Sequence, residues 1–122
     1  MAPVRFHSTN HRDLDRSLAH ALLNGQAEDK GLFMPDPIPQ FTPRDWRRMA
    51  QASYPELAYE VLSRYVDDEF SAEELLGLCH SAYDYPVPLE QVHGRRYVMR
   101  LDQGPTASFK DFAARMMGRM LG

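Results

Sequence analysis

Apolar residues along this chain recur at two spacings, two apart in short runs and three or four apart in longer ones. Val4 to Ser8 has the first spacing, with Val4 and Phe6 on one face, and reads as a short strand. Asp13 then serves as the N-cap of a helix to about Leu23 that buries Leu14, Leu18, Ala21 and Leu22. Asn24-Gly25 supplies the left-handed residues that end such a helix. From Gly25 to Phe41 the periodicity lapses. Leu32-Phe33-Met34 is apolar, but Pro35, Pro37 and Pro39 deny the segment both a helix and a central strand, leaving an extended edge or a surface connection.

Three helix starts follow with one chemical signature. Thr42-Pro43-Arg44-Asp45 and Ser53-Tyr54-Pro55-Glu56 each set a capping hydroxyl near a first-turn proline with an acid three residues on. Ser71-Ala72-Glu73-Glu74 is a full capping box. Each cap stabilises its helix by about 1 kcal/mol. The helix from Tyr54 carries Leu57, Val61 with Leu62, and Tyr65; the helix from Ala72 carries Leu75, Leu78 or Cys79, and Ala82. These stripes predict a small helical layer around one core.

Tyr83 to Pro88 breaks the helical run. Arg96 to Leu101 is the second strand, with Tyr97, Met99 and Leu101 facing one way, and the two strands are candidates for pairing with each other. A Gly104-Pro105-Thr106 turn follows. A last helix starts at about Phe109, with Phe109, Ala113, Met116, Met117 and Met120 at helical spacing. The predicted class is α+β, mostly helical with short strands.

Composition then narrows function by exclusion. The 122 residues are 43% hydrophobic, enough for one domain with one core. A net charge of −3 gives no global attraction to nucleic acid or an anionic membrane. The clusters Arg44, Arg47, Arg48 and Arg95, Arg96, Arg100 read as solvated faces with acidic neighbours, so no nucleic-acid or membrane partner is expected. Cys79 is the one cysteine, which rules out an intramolecular disulfide, and its apolar helical surroundings predict a buried thiol. No stretch approaches the roughly 18 apolar residues of a membrane span. The N-terminus lacks a signal-peptide core, and the cytoplasm is expected.

Metal and nucleophile chemistry find little support. His7 and His11 stand four apart in a strand-like segment, and His20, His80 and His93 stand alone. A zinc site needs three or four converging ligands, so no metal site is expected. Ser8 and Ser108 lack the His and Asp spacing of a triad, and the seven glycines never cluster into a phosphate-binding loop.

One residue stands apart. With Ser108 as N-cap, Lys110 falls at N2 and Asp111 at N3, where an acid complements the positive helix end and a cation does not. The apolar neighbours Phe109 and Phe112 add desolvation of the same sign. Both effects favour the neutral amine, the form that attacks an aldehyde. The plain alternative is a solvent-facing helix lysine, and the local chemistry leaves both open.

Three segments, in order, carry a resemblance. Phe6-His7-Ser8-Thr9 is similar to an opening strand with a Ser-Thr pair. Ala21 to Phe41, ALLNGQAEDKGLFMPDPIPQF, is similar to a helix end, a Gly, a polar stretch, Gly-Leu-Phe and two spaced prolines. Gly104-Pro105-Thr106, two residues, then Phe109-Lys110-Asp111 is similar to a GPT-x-x-FKD segment. Together they resemble the threonine synthase family, fold-type II enzymes dependent on pyridoxal 5′-phosphate (PLP). The resemblance implies that Lys110 is catalytic and binds PLP through a Schiff base. It implies conversion of O-phosphohomoserine and water to L-threonine and phosphate, with the released lysine shuttling protons. The chain departs from the family pattern at Asn10-His11, in place of Arg-Gly, at Gln103, in place of His, and at Ala107-Ser108, in place of Leu-Ala.

The resemblance also implies a longer polypeptide, because family members run to several hundred residues. Their Gly-rich loop for the PLP phosphate and their hydroxyl residue facing the pyridine nitrogen lie after the lysine. Residues 1–93 are then an N-terminal accessory domain, and residues 94–122 the truncated beginning of an α/β PLP domain whose remainder is a partner. The isolated chain is expected to be inactive and to bind PLP weakly. The helix over 109–121 should keep part of its apolar stripe open, favouring self-association. The alternative is a non-catalytic interaction module that pairs with a separate catalytic chain.

Overall fold

The computed structural model describes residues 4–66 and 68–122. Its elements run β1 (Arg5–Ser8), α1 (Leu18–Asn24), β2 (Phe33–Asp36), α2 (Pro43–Met49), α3 (Tyr54–Leu62), α4 (Ala72–Ala82), β3 (Leu89–His93), β4 (Arg96–Met99) and α5 (Lys110–Leu121). The class is α+β, as the sequence pattern predicts: five helices and two separate antiparallel strand pairs among the described residues.

The three helix starts close as their chemistry dictates. The Thr42 N–H donates to Asp45 Oδ2 at 2.9 Å, Ser53 N–H to Glu56 Oε2 at 2.7 Å, and Ser71 N–H to Glu74 Oε2 at 2.9 Å. Each satisfies a backbone group that a helix end leaves orphaned. The layer they open packs α3 on α4 and α4 on α5, around buried Cys79, Ala82 and Met116. Ala58, Tyr59, Leu62, Leu78, Tyr83 and Met120 close over that cluster. Cys79 is fully buried, and burial pushes its thiol up to about 11, so it stays a protonated apolar filler.

Two expectations are corrected. The first helix does not start at Asp13. Residues 13–16 instead run back beside β1, where Phe6 N–H bonds Arg16 C=O at 2.9 Å, Arg16 N–H bonds Phe6 C=O at 3.0 Å, and Ser8 N–H bonds Asp13 C=O at 2.7 Å. The open edge of β1 needs these partners more than the helix needs an extra turn. Ser17 takes over as N-cap, its hydroxyl accepting the His20 N–H at 3.1 Å, and Leu14 is left exposed.

The strands at the two ends of the chain, in turn, do not pair with each other. β1 pairs with β2, with Phe6 opposite Pro35 and His7 opposite Met34; β4 pairs with β3. Proline is tolerated in β2 because β2 is an edge strand, paired with β1 alone among the described residues. The β3–β4 hairpin turns at Gly94, in the left-handed region at φ 56°. A register shift between Gln91 and His93 breaks the alternation that would have marked β3 in the sequence. Every residue of β3 and β4 is exposed, including Leu89, Val92, Tyr97 and Met99, so the predicted strand faces cover nothing in this unit.

Candidate functional site

The Gly104–Asp111 turn delivers Lys110 to the solvent. The Ala107 N–H bonds Gly104 C=O at 3.0 Å, and Ala107 itself sits at φ 56°. α5 opens with tight three-residue bonds: Asp111 N–H to Ser108 C=O at 3.0 Å and Phe112 N–H to Phe109 C=O at 3.2 Å. The helix thus begins one residue later than the sequence suggests, with Phe109 as its flanking residue and Lys110 at N1. Ser108 keeps a capping part, its Oγ accepting the Lys110 N–H at 3.3 Å.

The aromatic neighbours do not enclose the lysine. Phe109 is 65% exposed. Phe112 packs the other way, with ring centroids 5.8 Å from Tyr54, 6.1 Å from Tyr83 and 5.4 Å from Tyr85. Lys110 is exposed, and no hydrogen bond or ion pair holds its ammonium among the described residues. The desolvation expected from the two phenylalanines is therefore absent from this unit.

What the backbone beneath Lys110 has instead is anchorage. The Tyr83 hydroxyl donates to Phe112 C=O at 3.0 Å, and burial pushes that phenol up to about 12, so it remains a donor. Arg115 Nε donates to Ala82 C=O at 2.7 Å, while Nη2 donates to Ser81 C=O at 3.1 Å and Asp84 Oδ1 at 2.7 Å. The Ser81 and Ala82 carbonyls belong to the last turn of α4, which has no helical N–H left to donate to them. α5 is in effect the C-terminal cap of α4. Asp111 completes the frame: 4% exposed, its carboxylate accepts the Thr106 N–H at 3.0 Å and the Thr106 hydroxyl at 2.8 Å. Thr106, Arg115 and Tyr83 are residues that sequence reasoning missed as parts of the site. Their partners lie outside any helical or strand period, so only the motif GPT-x-x-FKD itself hinted at Thr106 and Asp111.

The other two motif segments meet each other. Ser8 Oγ donates to Asp29 Oδ1 at 2.5 Å, and Asp29 also accepts the Gly31 N–H and the Arg12 N–H, each at 3.0 Å. Thr9 Oγ1 accepts the Leu32 N–H at 3.0 Å. The Ser8 hydroxyl, with these amides, holds the Asp29 carboxyl below the usual carboxylate range. His11, beside this knot, has φ 58°. A glycine there, as the family pattern has, relieves that left-handed strain, and His11→Gly is expected to raise stability by about 0.5–1 kcal/mol in a denaturant titration. An unchanged or lowered midpoint would count against the strain.

A covalent carrier for an aldehyde cofactor needs a primary amine on a fixed backbone that no carboxylate ties up. Lys110 fits that need. The chain's glycines remain dispersed and offer no phosphate cradle, so the fit extends to the anchor. Among the described residues, no group of three or more His, Cys, Asp or Glu could hold a metal ion, and no helix is long and apolar enough to cross a membrane.

Fold and turn together define an α+β unit that presents, at a helix start, an amine unpaired among the described residues. The family model described as threonine synthase N terminus matches residues 5–83, a span that stops short of that amine. Threonine synthase of Pseudomonas aeruginosa is 35% identical, over 97% of this chain and 26% of that protein. The enzyme of Schizosaccharomyces pombe is 37% identical, over 96% of this chain and 24% of its own length. A crystal structure of PLP-bound threonine synthase from Brucella melitensis superposes with a TM-score of 0.91 at 32% identity, covering 97% of this chain and 26% of that one. The chain belongs to the threonine synthase family. It spans about a quarter of the length of these relatives.

Proposed function

We propose that this chain is the N-terminal portion of a PLP-dependent threonine synthase and that Lys110 is its cofactor-bearing residue. The observation that carries the reading is the Gly104–Asp111 turn, with its exposed, unpaired amine on a helix pinned by Arg115 and Tyr83. Family membership and the PLP in the Brucella melitensis relative support it. PLP, when bound, supplies an electron sink for negative charge developing on the substrate carbons. Lys110 Nζ holds the cofactor and, when free of it, takes and returns a proton at those carbons. The substrate is O-phosphohomoserine; one water is consumed, and L-threonine and phosphate leave. The cytoplasm is the proposed location.

We assign residues 1–93 to the accessory unit and residues 94–122 to the beginning of the cofactor domain, with the division at the Gly94 turn. The predicted stripe divides: Met116 is buried, whereas Phe109 and Met117 are 65% and 46% exposed, and Leu121 at the end of α5 is 47% exposed. With the bare β3–β4 hairpin they form apolar faces on which the rest of the cofactor domain would pack.

The test compares the 122-residue chain with the full-length polypeptide. Full-length protein supplied with PLP should release phosphate from O-phosphohomoserine and form threonine in equal amounts. The shorter chain should do neither, and by light scattering after gel filtration it should exceed its 14.0 kDa monomer mass. A short chain that is monomeric and catalyses the reaction unaided would overturn the reading.

A further inference from the structure

We infer that Asp111 is the positioning residue of Lys110, acting through Thr106; the inference rests on the reading of Lys110 as the cofactor-bearing amine. An acid in the first turn of a helix ordinarily faces solvent and complements the helix end. Asp111 is 4% exposed instead. Its carboxylate turns back over the preceding loop, Oδ2 accepting the Thr106 N–H and Oδ1 the Thr106 hydroxyl. Gly104 leaves the room for it: a Cβ there would lie 2.5 Å from Oδ2.

Between these partners the backbone is strained. Ala107 has φ 56°, a conformation that a non-glycine residue keeps only where its surroundings impose it. The two bonds that Thr106 donates to Asp111 span that residue and are the imposition. On the far side, Arg115 and Tyr83 fix α5 to α4. Lys110 therefore has its Cα between two fixed points while its side chain bears no bond among the described residues. A rigid base with a free tip suits an amine that must alternate between carrying a group and moving a proton. Both Asp111 oxygens accept from Thr106, and no ion pair joins them to the Lys110 ammonium among the described residues, so the carboxylate governs where the lysine stands.

The experiment uses the full-length holoenzyme. Thr106→Val deletes the hydroxyl at similar shape, Asp111→Ala deletes the carboxylate, and Thr106→Ser keeps both the amide and the hydroxyl donor. Borohydride reduction at limiting PLP, followed by peptide mass analysis, reads the share of pyridoxyl label on Lys110, with Lys30 as internal control. Label on Lys110 and kcat should each fall about tenfold in Thr106→Val and Asp111→Ala, with KM changed less than about twofold. Thr106→Ser should match the wild type. Wild-type labelling and kcat in both deletions would overturn the inference. So would a loss that follows helix content by circular dichroism and that Thr106→Ser shares. Lys110→Ala separates the two ideas: undiminished turnover in that variant defeats the reading of Lys110, whereas its loss beside normal Asp111 variants defeats only the positioning role.

Discussion

Lys110→Ala in the full-length enzyme is expected to lower threonine formation about a thousandfold while leaving the fold intact. The two halves of that expectation come from different observations. Lys110 is exposed and unpaired among the described residues, so removing its side chain should change stability by less than about 0.5 kcal/mol. Alanine is also the best helix former, which suits the N1 position of α5. The loss of turnover is chemical, because Lys110 is the amine read as the cofactor carrier, and the other lysine of these 122 residues, Lys30, lies on a loop separated from this turn by most of that stretch. Lys110→Arg refines the test: it keeps the positive charge but has no amine that condenses with an aldehyde, and it should be as inactive as alanine. Phosphate release and circular dichroism, measured together, check both halves. Turnover within a few fold of wild type in either variant would remove Lys110 from the chemistry.

The second large effect is on stability. Gly31→Ala is expected to lower the unfolding midpoint by about 10 °C, corresponding to about 2–3 kcal/mol. A Cβ at this position would lie 2.0 Å from Ser8 Oγ, 2.9 Å from the Asn10 backbone nitrogen and 3.0 Å from Thr9 Oγ1. Ser8 cannot yield cheaply, because its hydroxyl is buried and committed to Asp29, which also holds the Gly31 amide. Displacing it unravels the junction of β1 with the loop before β2. Gly77→Ala in α4 is the matching control: nothing lies within 4 Å of a Cβ there, and helix propensity alone should stabilise by about 0.5–1 kcal/mol. Thermal melts of the two variants should move in opposite directions. A Gly31→Ala protein that melts with the wild type would show that the junction gives way freely.

The hydrophobic periodicity and the capping residues determined α2, α3 and α4, their starts at Thr42, Ser53 and Ser71, and the burial of Cys79. Those features are local: a capping hydroxyl and its acid are three residues apart, within reach before any tertiary contact forms. The GPT-x-x-FKD stretch around Lys110 is likewise visible in the sequence as a motif, and its role rests on the proposal above. Only the tertiary structure decided the late start of α1, the partners of β1 and β4, the outward turn of Phe112 from Lys110, and the buried course of the Asp111 carboxylate. Each depends on a group supplied from outside the local period, as when Arg115 satisfies Ala82 across 33 residues or Ser8 meets Asp29 across 21. Chain geometry fixes what neighbours in sequence can do; which distant group arrives to satisfy a strand edge or a helix end is settled by packing.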